Sequence, residues 1–260
     1  MKVLFVLLPL ALVSASEPEA ITTASLDQEE PLNIITNGYI APEGKAPYIV
    51  FLSFRNSRSG SWCGGSMIGH TWVVTASHCS KGFSSVTIYY GSNQRAQGSI
   101  SHTVSGSNII NHPSDDIALI RTPHVAFSAR INRVRLPSFS DRGNLYVNQW
   151  TTACGWGQTT STKTPENLQC VDAPVISNAQ CARIFGSRTV HRRVLCTSTL
   201  GGRSICFGDS GGPLVTQSNP ILIGVTHFVS AKGCTAGEPA GFTRITSHLD
   251  WIRLQTGIAY

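Results

Sequence analysis

From Ala46 onward the chain is a succession of short apolar or alternating runs, each closed by Gly, Ser, Asn or Pro, and this punctuation leaves little room for long helices. Residues 48–54, 67–75, 86–90, 117–120, 150–154 and 221–228 are the clearest runs, and Val, Ile, Thr and aromatic residues dominate them. Such side chains fit a pleated, half-buried surface, so the runs read as strands. The 24 glycines and 13 prolines supply the turns between them. Regular spacing of short strands points to barrels or sandwiches, and the fold class is all-β. The one good helical pattern is terminal, around residues 246–255, where Leu249, Trp251 and Ile252 offer an apolar face. A proline-bearing stretch at 133–142 with little apolar periodicity reads as a crossing between two halves.

The beginning of the chain has a different character. Lys2 precedes an apolar run over residues 3–13, and Val13-Ser14-Ala15 supplies small residues for cleavage, which together read as a secretory signal peptide over 1–15. The run is too short to span a bilayer comfortably, so no membrane anchor is expected. Residues 16–34 hold Glu17, Glu19, Asp27, Glu29 and Glu30, with no Lys or Arg and no strand or helix period. They read as a solvated propeptide. The remaining domain, 35–260, carries 19 basic and 9 acidic residues, a formal charge of +10. Its basic residues are scattered, with no run of five, which argues against nucleic acid as a partner.

Eight cysteines in a secreted chain read as four disulfides. A zinc site built on them is disfavoured, because there is no CxxC pair and no histidine pair with ligand spacing beside them.

Three local features carry the chemistry. His78 lies in Val73-Val74-Thr75-Ala76-Ser77-His78-Cys79, Asp116 opens Asp116-Ile117-Ala118-Leu119-Ile120, and Ser210 sits in Gly208-Asp209-Ser210-Gly211-Gly212-Pro213. Alone, such a histidine is ordinarily structural and such an aspartate a strand-edge residue. The glycine-framed serine is less ordinary: Gly208, Gly211 and Gly212 permit tight turns that leave backbone N–H groups facing an anionic oxygen. A serine hydroxyl is a weak nucleophile until an imidazole takes its proton. That imidazole needs a carboxylate to fix its tautomer and stabilise the imidazolium. The order His, Asp, Ser excludes the order used by α/β-hydrolases.

The segments TASHC, DIALI, CGWGQT and GDSGGP resemble those of the chymotrypsin-type serine proteases over nearly the whole of 35–252. Residues 35–39 (ITNGY) and 239–244 (PAGFTR) are most similar to insect digestive proteases of the Jonah type. The resemblance implies two six-stranded antiparallel barrels, with a boundary near 135–145, the active site between them and a C-terminal helix. It implies a secreted serine endopeptidase with His78, Asp116 and Ser210 as its triad and the N–H groups of Gly208 and Ser210 as oxyanion hole. Ser204, Val229 and Ala240 would line the specificity pocket. Ser204 stands where trypsins carry an aspartate, and Val229 and Ala240 where wide pockets have glycine. The expectation is therefore elastase-like, with a chymotrypsin-like preference as runner-up, rather than tryptic. Counting back from Pro47 places the mature N-terminus at Ile35, whose amine would pair with Asp209. No Lys or Arg lies between Val3 and Ile34, so a trypsin cannot make that cut.

By the family pattern the cysteines pair as Cys63–Cys79, Cys181–Cys196 and Cys206–Cys234. Cys154 and Cys170 flank the expected hairpin after Gly155-Trp156-Gly157 and are paired across it. No cofactor is implied. Calcium, which some members hold in a first-barrel loop, is not expected, because no Asp or Glu lies between Lys45 and Ser114. Proteins and peptides are the implied substrates, protein protease inhibitors the implied partners, and the chain is expected to be a monomer. One departure keeps another reading open. His227 replaces a serine whose hydroxyl touches the triad aspartate, which leaves room for an inactive homologue acting as a binding module. A secreted esterase would need a different scaffold. Asp115, beside the triad aspartate, reads as a solvated turn carboxylate whose replacement by Asn is nearly silent.

Overall fold

The computed structural model describes Met1 and residues 37–159 and 164–260. The segments read as signal peptide and propeptide, and Ile35, lie outside the described residues.

Strand β1 (Tyr39–Ile40) is followed by the seven strands of a first sheet: β2 (Ile49–Arg55), β3 (Gly60–Gly69), β4 (Trp72–Thr75), β5 (Ser85–Tyr90), β6 (Ile100–Ser105), β7 (Ile109–Asn111) and β8 (Ala118–Arg121). Their order is β6-β5-β2-β3-β4-β8-β7, every pair antiparallel. The strands at the two edges, β6 and β7, are consecutive in the chain and separated only by a 3-10 turn over Gly106–Asn108. One strand broken by that turn closes the sheet on itself, which reconciles seven segments with the six expected. Alternation builds the interior: Val86, Ile88 and Tyr90 of β5 point inward beside Val50, Leu52 and Phe54 of β2. Each fully buried side chain of this size contributes about 2–3 kcal/mol. The run at 67–75, read as one strand, is a hairpin, with β3 ending at Gly69 and β4 starting at Trp72.

The second sheet comprises β9 (Trp150–Gly155), β10 (Gln169–Ile176), β11 (Val194–Thr197), β12 (Pro213–Thr216), β13 (Leu222–Phe228) and β14 (Ala240–Arg244). They form a ring, β10-β11-β14-β13-β12-β9, closed by β9 on β10, and β1 adds a seventh strand along β10. Phe242, Leu195, Leu214 and Ile223 fill it.

The C-terminal helix (Leu249–Thr256) stands where expected and ends at Gly257 in the left-handed conformation. A second helix, Asn178–Phe185, was not anticipated. Its signal is a capping box, in which the Ser177 hydroxyl accepts from the Gln180 N–H and the Gln180 side chain accepts from the Ser177 N–H.

All four expected disulfides are present: Cys63–Cys79, Cys154–Cys170, Cys181–Cys196 and Cys206–Cys234. Cys154 and Cys170 face each other in the β9–β10 register. The barrels meet through short-side-chain backbone contacts. The Gly64 N–H of β3 donates to the Ser210 carbonyl at 2.9 Å, and the Thr243 hydroxyl of β14 donates to the Asp116 carbonyl at 2.8 Å.

Candidate active site

His78 sits on a single helical turn, Ser77–Ser80, directly after β4, where the disulfide from Cys79 to Cys63 ties it to β3. Asp116 precedes β8 and approaches from the opposite side of β4. The His78 Nδ1–H donates to Asp116 Oδ2 at 2.6 Å, and the His78 backbone N–H donates to Oδ1 at 2.8 Å. The Ser77 hydroxyl adds a 3.3 Å bond to Oδ1. Burial alone would raise the Asp116 carboxyl. The hydrogen bond from His78 and the charges of His78 and His227 outweigh it, so the group is held below its ordinary value. With Nδ1 committed to the carboxylate, Nε2 is the nitrogen left to exchange protons.

Ser210 lies on a turn that only glycine can build. Gly208 has φ +101°, and a Cβ there would run into the Trp62 ring. Gly211 has φ +75°, and a Cβ would strike the Thr75 hydroxyl. Among the described residues the N–H groups of Gly208 and Ser210 have no acceptor, whereas that of Asp209 between them is bonded to the Cys206 carbonyl. Two free amides flanking the serine can stabilise an oxyanion. In this state Ser210 Oγ makes no hydrogen bond to His78 among the described residues. Ser210 lines a cavity of about 230 Å³ with Cys206, Phe207, Thr226, Phe228 and Val229. His227 also lines it, and is shared with a second cavity of about 350 Å³ that reaches His78 and Asp116.

Of the anticipated pocket residues, Val229 lines the serine cavity. Ser204 and Ala240 are buried and stand outside its lining, Ala240 within the second-barrel core on which Val229 packs. Phe207 and Phe228 line the cavity and went unremarked in the sequence, where each is one phenylalanine among ten. Asp209 is fully buried: the Gly157 N–H reaches Oδ1 and the Cys206 N–H reaches Oδ2, each at 2.8 Å. With no cationic partner among the described residues, burial pushes its carboxyl up to about 6.

His227 turns toward Asp116, with Nε2 3.4 Å from Oδ2. Its Nδ1 is buried without a partner, and burial holds the ring's pKa down, which favours the neutral ring with its proton on Nε2. Asp115 corrects the sequence reading. Its side chain is only 6% exposed and lies against Arg193, His112 and His248, with Arg193 Nε 2.9 Å from Oδ1. His112 from the same turn, with Arg193 and His248 brought in by tertiary structure, buries what looked like a solvated turn.

Two antiparallel barrels holding a His–Asp pair and a glycine-framed serine at their junction define a serine protease. The Trypsin family matches residues 35–252, and the chain belongs to it as a serine-type endopeptidase. It is 50% identical to Serine protease 1 of Drosophila melanogaster over 234 residues, covering 87% of each chain. It is 40% identical to a collagenase of Hypoderma lineatum, over 87% of this chain and 88% of the relative. A solved collagenase structure superposes with a TM-score of 0.82 at 40% identity, covering 87% of this chain and all of that one. The insect relatives agree with the resemblance seen in the sequence.

Proposed function

We propose that the chain is made with a signal peptide and an acidic propeptide, is secreted, and acts as a digestive endopeptidase through an acyl-enzyme. The observation that carries the mechanism is the 2.6 Å bond from His78 to Asp116 beside a serine flanked by two unengaged amides. Ser210 attacks the substrate carbonyl, and His78 Nε2 takes the hydroxyl proton. Asp116 holds the ring and stabilises the imidazolium, and the oxyanion settles against the Gly208 and Ser210 amides. His78 then protonates the leaving amine, and water repeats the sequence to release the acid.

The serine cavity supports a small or medium apolar residue at the cleaved position. Its walls include Cys206, Phe228 and Val229, and among the described residues no carboxylate lines it. A Lys or Arg side chain there would lose its hydration without gaining a counter-charge. Phe207 and Phe228 offer aromatic faces against which a Phe or Tyr ring would pack, and these are the second choice.

The test is a cleavage profile of the activated enzyme on a mixed peptide library, run with Ser210→Ala and His78→Ala. Cleavage after Ala, Val or Leu should exceed cleavage after Arg, and each variant should lose several orders of magnitude in kcat with its fold intact. Faster cleavage after Arg would overturn the pocket reading. A loss under tenfold in either variant would overturn the triad.

A further inference from the structure

A second cluster of ligand-type side chains lies behind the triad, on the wall of the larger cavity. His112 Nδ1 is 3.4 Å from Asp115 Oδ2, and His248 Nε2 is 3.1 Å from the same oxygen. One ligand atom from each residue can be chosen so that all three lie within 4.8 Å of one another. Two zinc bonds of ~2.0–2.1 Å at a tetrahedral angle leave their donor atoms about 3.3 Å apart, so the two observed edges are those of a tetrahedral site.

The hydrogen bonds around the cluster say which atoms carry lone pairs. His248 Nδ1 is 2.7 Å from the Arg244 carbonyl, which can only accept, so Nδ1 holds a proton, and Nε2, 3.1 Å from Asp115 Oδ2, shares a second, exchangeable proton with that carboxylate. His112 Nδ1 accepts from the N–H groups of Ser114 and Asp115, so it is unprotonated. Asp115 turns the same oxygen, Oδ2, toward both rings. Three ligand atoms therefore converge, and all three become electron-pair donors once the proton between His248 Nε2 and Asp115 Oδ2 leaves.

We propose that His112, Asp115 and His248 form a binding site for a zinc-class divalent cation one residue away from the triad aspartate. Two imidazoles and a carboxylate are the donor set that suits zinc. The Arg244 carbonyl on His248 Nδ1 and Arg193 on Asp115 Oδ1 are outer partners of the kind that orient metal ligands. His112 and Asp115 line the 350 Å³ cavity, which leaves room for water as a fourth ligand. The ion would replace a proton on His248 Nε2, releasing it to solvent, and would draw the His112 lone pair from the two turn amides. Its charge would oppose the imidazolium formed at His78, so occupancy lowers turnover.

The probe is Zn²⁺ alone, titrated calorimetrically into the purified full chain in two buffers of different ionisation enthalpy. The expected result is one saturable site with proton release, weakened at least tenfold in His112→Ala and unchanged in His78→Ala. Co²⁺ in place of zinc should give the intense visible bands of a tetrahedral site. His112 is chosen because its ring lies at the cavity wall, whereas His248 is buried; a circular dichroism spectrum matching the parent's confirms that the variant folds. Absence of saturable binding, or binding that survives His112→Ala, overturns the site. Loss in His78→Ala instead would place the ion at the triad and overturn it equally. Hydrolysis of a small ester by the activated enzyme should slow when zinc is added and recover with a chelator. Equal rates would overturn the coupling.

Discussion

At the residue scale, the structure separates adjacent carboxylates by their surroundings. Asp116 and Asp115 are neighbours in sequence, and both are held below the ordinary carboxylate range, yet one serves His78 and the other anchors Arg193 and His248. Asp115→Asn keeps the shape and removes the charge, stranding an arginine and a buried imidazole. Loss of one partner of a largely buried pair costs about 3–5 kcal/mol. Arg193 is 39% exposed and can recover part of its hydration, so a loss of about 2 kcal/mol is expected. The direction with pH follows from the lowered carboxyl: its contribution is present above the unfolded value near 4 and is lost as pH falls through the lower folded value. Urea unfolding of parent and variant at neutral pH and below pH 4 checks this. Equal stability at neutral pH would restore the reading of Asp115 as a solvated turn residue. The triad candidates were legible because each sits in a local motif. Asp115 was not, because His248 is 133 positions away and a single-residue reading sees only a polar turn.

At the scale of elements, the strands were legible from their punctuation and the disulfides from their context. The errors came from short-range chemistry given too little weight. Gly69 already marked the turn between β3 and β4, and Ser177 with Gln180 already marked a helix start, but eight residues make too weak a period to stand out. The bridges allow a matched comparison. Cys63–Cys79 and Cys154–Cys170 each close a separation of 16 residues, so loop closure in the unfolded chain assigns each about 3 kcal/mol. Replacing either pair by alanines should lower stability by similar amounts in denaturant titrations. Activity should divide them: Cys79 follows His78 directly, whereas Cys154–Cys170 staples two strands already paired over six residues. The first double variant should lose turnover beyond what its stability explains, and the second should keep it. Equal retention by both would show that the bridge at Cys79 does not position the histidine.

At the scale of the whole molecule, the buried Asp209 joins the serine turn to the proposed activation. Two backbone amides are its only hydrogen-bond donors among the described residues, and burial without a counter-charge raises its carboxyl from 3.8 to about 6. A carboxyl raised on folding contributes stability below its unfolded value and loses it as pH rises through the folded one. The full-length chain should therefore weaken between about pH 4 and pH 6, by roughly 3 kcal/mol for a shift of about two units. Asp209→Asn removes that dependence but keeps an acceptor for only one of the two amides, which returns about 1 kcal/mol. The uncleaved variant should be more stable than its parent at pH 8 by about 2 kcal/mol and should lose the slope between pH 4 and 6. Cleavage before Ile35, as proposed, supplies an amine to the carboxylate and reverses the sign, so in the cleaved form the same substitution destabilises and abolishes turnover. Thermal unfolding of both forms across pH 4–8, with N-terminal sequencing of the active material, measures both halves. An uncleaved Asn variant no more stable than its parent would remove the buried-charge argument. An active form beginning at Ser16 or Glu17 would remove the Ile35 amine as the partner of Asp209.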